Sequence, residues 1–183
     1  MIVGNRFNIY LAALVAAALA LGCQSPEKKR QKQASLLRIH LEAASDVDTN
    51  RSLTIQISRD TPVDLKINSG AFLTEADIKE AKVVEEGGGF AIRLQFDRKG
   101  SWLLEEYSAG NRNKHFAIFS QFVNPADAEH TVGRWLAAPK ITQRITDGVL
   151  QFSPDASREE ADQIVLGLNN VAKKLEKDSI WSN

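Results

Sequence analysis

Apolar and polar residues alternate in several short runs along the chain, and these runs predict strands. Leu37-Arg38-Ile39-His40-Leu41-Glu42-Ala43, Leu53-Thr54-Ile55-Gln56-Ile57 and Val63-Asp64-Leu65-Lys66-Ile67 each keep a period of two, the pattern of a half-buried strand. Pro62 opens the third run, where its missing N–H costs no ladder bond. Three such strands in succession predict a small meander, with Asp46, Asp48 and Asn50 in a polar turn between the first two. Thr74-Glu75-Ala76-Asp77 reads as a capped helix start, continued by a short helix to Ala81 and a strand from Lys82 to Glu86. Gly87-Gly88-Gly89 then turns the chain into Phe90–Phe96, which alternates cleanly, so the two runs predict a hairpin. Ser101–Tyr107 is helical in character, with Trp102, Leu103 and Leu104 as its apolar stripe. Phe116–Phe122 and Val132–Leu136 predict further strands, separated by a turn at Asn124–Asp127. Ile141–Ile145 fits strand or helix, and Asp147-Gly148 is a tight-turn signal before a strand at Val149–Phe152. The last element is a helix. Ser157 and Glu160 make its capping box, and Ala161, Ile164, Val165, Leu168, Ala172 and Leu175 recur at three- and four-residue steps. The sum is an α+β fold, an antiparallel or mixed sheet with helices on one face.

One stretch does not alternate. Ile9–Leu21 is apolar throughout and follows the single basic residue Arg6. It is short of the roughly 20 residues that span a bilayer, and its layout is that of a secretory signal. Ala20-Leu21-Gly22-Cys23 resembles a lipobox, with cleavage between Gly22 and Cys23 and a diacylglyceryl group on the Cys23 thiol. Cys23 is the one cysteine of the chain, and an exported lone thiol is a liability unless capped. Several acyl chains hold a protein to a membrane where one holds weakly. The expected partner at this end is therefore the lipid bilayer. Gln24–Ser35 is polar and carries Lys28, Lys29, Arg30 and Lys32, a spacer between anchor and domain. The expected layout is a signal peptide at 1–22, a tether at 23–35, a small β region at 36–70 and an α+β domain at 71–183. Gln24, rather than Asp, follows Cys23. This favours the outer over the inner membrane, with the domain facing the periplasm.

Composition narrows the function. Removing the 22-residue leader from 183 residues leaves 161, enough for one core. With 23 basic and 23 acidic residues the chain has no basic excess to attract nucleic acid. No second apolar run approaches spanning length. Candidate chemistry is sparse. His40, His115 and His130 are isolated, and there is no Gly-x-Ser-x-Gly elbow. The triple glycine lacks the Lys-Ser/Thr of a phosphate loop. Asp46, Asp48 and Asn50 lack the central glycine and terminal glutamate of a calcium loop. Asn50-Arg51-Ser52 has the form of a glycosylation sequon but no role in a bacterial lipoprotein. Trp102, Trp135 and Trp181 read as core or edge residues, Trp181 in an exposed tail. The expectation is a non-enzymatic protein with no catalytic residues, no metal and no cofactor. The residues of any binding surface are not assigned by sequence.

Phe72–Ala81, Phe90–Asp97 with Gly100, Lys114–Ile118, Ala138-Pro139-Lys140-Ile141, Ile145–Gly148 and Gln151–Ala161 occur in this order along the chain. In sequence and spacing they resemble the periplasmic head domain of SecD, a subunit of the bacterial protein-export machinery. The resemblance covers about a hundred residues, from Phe72 to Leu175. It implies a ferredoxin-like α+β head that is not an enzyme and that touches emerging preproteins. SecD proteins carry several membrane helices, whereas this chain shows none beyond its leader. The reading is a SecD-like head on a lipid tether that binds exported polypeptide or Sec components. The alternative is an envelope adaptor docking on one folded partner.

Overall fold

The computed structural model describes residues 26–44, 51–58 and 61–181. The expected signal peptide, Gly22, Cys23, Asp46, Asp48, Asn50 and the side chain of Trp181 lie outside the described residues. The chain divides into two compact units, Met1–Lys32 and Gln33–Asn183. In the first, part of the segment read as a spacer forms helix α1 (Pro26–Lys32). Proline is preorganised for a first helical position, and Glu27 suits the N-terminal dipole.

The second unit is α+β, with nine strands in three antiparallel sheets among the described residues. Its strands are β1 (Leu36–Leu41), β2 (Ser52–Ile57), β3 (Val63–Asn68), β4 (Leu73–Thr74), β5 (Ile78–Glu86), β6 (Gly89–Phe96), β7 (Phe116–Asn124), β8 (Asp127–Ala137) and β9 (Val149–Phe152). Helix α2 (Arg98–Gly110) follows β6, and α3 (Arg158–Trp181) closes the unit. The first sheet has the order β4-β1-β7-β8, the second is the β2-β3 hairpin, and the third has the order β5-β6-β9. The expected meander is corrected here. β1 lies between β4 and β7, and the hairpin joins it by the Glu42–Ile67 bridge and not as a neighbouring strand of its sheet. Ile39 and Leu41 need a partner surface in the main core, which β7 supplies through Ile118 and Phe116.

The short helix expected up to Ala81 is also corrected. Thr74 and Asp77 do form the capping box, but it closes a single 3₁₀ turn, Glu75–Asp77. From Ile78 the chain is strand, paired with β6. A register shift between Ile78 and Glu80 puts Ile78 and Ala81 on the buried side. The bulge thus creates a three-residue spacing that imitates a helix. The glycine turn behaves as expected. Gly87 and Gly88 have φ of 56° and 83°, the two left-handed positions of a tight hairpin turn. Ile141–Ile145 is neither strand nor helix.

The main core lies between the first and third sheets and the two longer helices. Leu37, Ile39, Ile92, Leu94, Leu104, Phe116, Ile118, Phe122, Ile164 and Leu168 are among its members. α3 packs on β5 and β7, and its Ser157–Glu160 capping box is made: Ser157 N–H donates to Glu160 Oε2 at 2.7 Å, and Glu160 N–H to Ser157 Oγ at 3.2 Å. Asp97 caps α2 by accepting from Gly100 N–H at 2.7 Å. On α2, Leu104 is buried and Tyr107 stacks on Phe72, but Trp102 is 61 % exposed and leaves the expected stripe. A second, smaller cluster joins Ile55, Ile57 and Ile67 of the hairpin to Ala117, Trp135 and Ala138. The hairpin therefore covers part of the first sheet's other face.

Candidate functional site

Backbone N–H and C=O groups at the rim of a sheet are ready partners for another strand. Each sheet has two such rims, and that of β2 offers six residues. β4 offers two residues, and the adjoining Arg38 is ion-paired with Glu75. The rim of β5 is closed by α3. Ala81 N–H donates to Asn169 Oδ1 and Asn169 Nδ2–H donates to Ala81 O, both at 2.9 Å. One amide side chain thus stands in for a strand partner. β9 presents four residues beside a cleft of about 350 Å³ lined by Pro139–Asp147. β3 is tied to the end of β1 by the Ala43 N–H to Lys66 O bond of 2.9 Å.

β8 differs. It is the longest strand among the described residues, with 11 residues, and has β7 on one side and no strand on the other. Its far end is closed, since Asp155 N–H donates to Leu136 O at 2.7 Å. From Asp127 to Thr131 it is exposed. Side chains brace its inner half at Arg134 and Trp135. Arg134 pairs with Glu160, both side chains less than a fifth exposed, and its guanidinium lies 5.4 Å from the Phe122 ring centroid. Because Glu160 also closes the α3 capping box, one carboxylate fastens β8 to that helix. Trp135 is gripped on the opposite face by His40 and Phe119, edge-on at 5.4 and 5.3 Å. The result is a partly open rim, braced at its inner end and, among the described residues, without a strand partner on one side.

The residues singled out by sequence do not converge. By alternation alone His40 falls on the polar face of its strand, yet the β2-β3 hairpin buries it. Its Nδ1–H donates to Asn68 O at 2.9 Å. Burial pulls its pKa below the ordinary imidazole value, against the Asn68 carbonyl bond and with help from Arg38. His115 meets Glu42 at 2.7 Å, at the joint where the ends of β1 and β7 hydrogen-bond each other. His130 pairs with Asp127 at 2.7 Å in the exposed β7–β8 turn region. Among the described residues no group of three or more His, Cys, Asp or Glu could hold a metal ion. Also among them, no helix is long and apolar enough to cross a membrane. Sequence reasoning passed over the β8 rim. Its one local signal was Gly133, a lone glycine inside a strand pattern.

Residues 51–172 match the family model described as SecDF, P1 head subdomain. The chain belongs to the SecDF P1 head family. Two solved SecDF structures resemble it. One is described as the structure and function of a membrane component SecDF that enhances protein export. It is 24 % identical with a TM-score of 0.53, and the match covers 82 % of this chain and 71 % of that one. The other, SecDF in a super-membrane-facing form, is 23 % identical with a TM-score of 0.52, the match covering 80 % of this chain and 21 % of that one. At such identities the likeness concerns the fold. The chain spans about a fifth of the second protein. A comparison with curated proteins finds no match. The P1 head resemblance expected from Phe72 onward thus extends upstream through β2 and β3, and it places the β8 rim within the family's domain.

Proposed function

We propose that this chain is a lipid-anchored, non-enzymatic SecD-like head that binds extended polypeptide and assists protein export. The observation that carries the reading is the open rim of β8 in a domain of the SecDF P1 head family. Strand addition recognises backbone, so it suits clients of many sequences before they fold. Each backbone hydrogen bond adds roughly 0.5–1.5 kcal/mol, and four or five of them give weak, reversible capture. Cys23 holds the head at the periplasmic surface of a membrane, the outer membrane by the identity of Gln24. The anchored head acts as a holder beside the export route.

Two measurements test this. Mass spectrometry of the mature N-terminus should find Cys23 as the first residue, carrying diacylglyceryl. A free Cys23 thiol in a protein that begins elsewhere removes the anchor. A photo-crosslinking residue at Glu129 or Thr131 should trap exported polypeptides or Sec components in cells. Recovery of one folded, stoichiometric envelope protein and nothing else would instead make the chain an adaptor.

A further inference from the structure

The rim of β8 is not uniform. Cross-strand register puts Val123 opposite Thr131, Gln121 opposite Gly133 and Phe119 opposite Trp135. Thr131, Gly133 and Trp135 therefore share one face, and Gly133 brings no side chain to it. Phe119 fills the gap from the neighbouring strand. A Cβ built on Gly133 would sit 3.1 Å from Phe119 Cζ and 3.7 Å from Cε2. The ring thus leans across the glycine toward the open edge. Trp135 braces it on one side, at 5.3 Å and an interplanar angle of 62°. On the other, Gln121 Nε2–H donates to Thr131 Oγ1 at 3.1 Å. Gly133 is exposed and Phe119 half-buried, so aromatic surface remains accessible where the strand has no side chain of its own. Farther along, past a register shift between Val123 and Asn124, Glu129 is exposed beside Asp127, which also holds His130, and no Lys or Arg occurs from Asn124 to Gly133.

We infer that Gly133 and Phe119 form a notch in the β8 rim that seats one large apolar side chain of an added strand, with a basic residue of that strand beside Asp127 and Glu129. The inference rests on strand addition at β8 and gives that site its selectivity. Side chains of an added strand alternate between faces, and those on the Trp135 face pass over Gly133. A residue directly opposite a glycine can lie down on the aromatic ring behind it, as cross-strand neighbours do. The acidic stretch complements positive charge on the client. The preferred client is an extended segment that alternates apolar and polar residues and carries a nearby Lys or Arg. A uniformly apolar run gains nothing from the acidic end, and an acidic one is repelled.

The test uses the full-length chain in detergent and fluorescent ten-residue peptides of alternating pattern, each with a photo-crosslinker, read by anisotropy. The parent peptide carries one Phe and one Lys; its partners replace Phe by Ala or Lys by Glu. Wild-type protein should bind the Phe peptide about tenfold tighter than the Ala peptide, the scale of one aromatic contact. Gly133→Val should erase that preference, so that the affinities for the Phe and Ala peptides converge. Lys→Glu in the peptide should weaken binding, less so at high salt. Equal binding of the Phe and Ala peptides, with crosslinks still on β8, overturns the notch and leaves strand addition standing. No peptide binding, or crosslinks only elsewhere, overturns both. The Phe-to-Ala comparison is made on wild-type protein, so a misfolded variant cannot decide the matter.

Discussion

Gly167 lies in the middle of α3, where alanine is ordinarily the better residue by about 0.8–1.0 kcal/mol. The structure predicts the opposite outcome for Gly167→Ala. A Cβ there would stand 2.5 Å from the backbone nitrogen of Ser35 and 2.8 Å from its Cβ. The obstacle is main chain, so a rotamer change does not relieve it. The segment Gln33–Ser35 would have to lift away from α3. Its two hydrogen bonds to that helix stretch with it: Asn170 Nδ2–H to Gln33 O at 2.9 Å and Ser35 Oγ–H to Gln163 O at 3.4 Å. Overpacking costs about 1–3 kcal/mol, and the weakened bonds add roughly 1 kcal/mol between them. Set against the gain in helix propensity, the balance is a loss of about 2 kcal/mol. At ~2–4 °C per kcal/mol for a chain of this size, the melting temperature should fall by roughly 4–8 °C. Thermal and urea unfolding followed by circular dichroism measure it. Gly110→Ala is the control, because nothing lies within 4 Å of a Cβ there. It should be neutral or slightly stabilising. A Gly167→Ala protein as stable as wild type refutes the close approach of β1's leading segment to α3.

His40 is favoured neutral in the folded state by burial, so stability should be flat above about pH 6.5, where the unfolded ring is also neutral. Below that the unfolded chain takes up a proton first, and stability should decline until pH falls past the lowered native value. His40→Gln should flatten this part of the profile, and an NMR titration that places His40 at or above the ordinary imidazole value contradicts it. Asn169→Ala strips both polar partners from Ala81. It should cost about 2–4 kcal/mol, because two backbone groups lose their bonds. It also reopens the β5 rim, so self-association on gel filtration should rise; a stable, monomeric variant would show that the rim was protected by something else.

Local pattern carried much of the fold. The run from Ile92 to Phe96 in β6 alternates because Ile92, Leu94 and Phe96 meet the core and Arg93 does not, and that contrast is written in neighbouring residues. The capping residues Thr74, Asp77, Ser157 and Glu160 were legible for the same reason. Failures arose where a distant element changed a residue's surroundings. The bulge at Ile78 and Glu80 exists only because β5 pairs with β6, and it turned a strand into an apparent helix. His40 looks solvent-facing until the β2-β3 hairpin covers it. Trp102 reads as core until Leu104 and Tyr107 prove to be the side of α2 that packs. The β8 rim was the least legible feature, since a strand's position in a sheet depends on which strands pair and not on its own residues.

The contrast among the rims supports a use for β8. An unprotected strand edge invites aggregation, and stable proteins blunt such edges with helices, short strands, prolines or charges. This chain applies those devices elsewhere. Asn169 closes β5, β4 is two residues long, and Asp155 caps the last part of β8 itself. The stretch of β8 before Arg134 has no strand or helix over it among the described residues, and Arg134–Glu160 and Trp135 brace its inner end. Rigidity lowers the entropy lost when a strand is added, so bracing an open rim favours capture as well as hazard. Gly133 sharpens the point. A valine there would strengthen the strand by propensity and cover the ring of Phe119, making a safer edge and a poorer receptor. The glycine that weakens β8 as a strand is the same residue that leaves its aromatic surface within reach of a client.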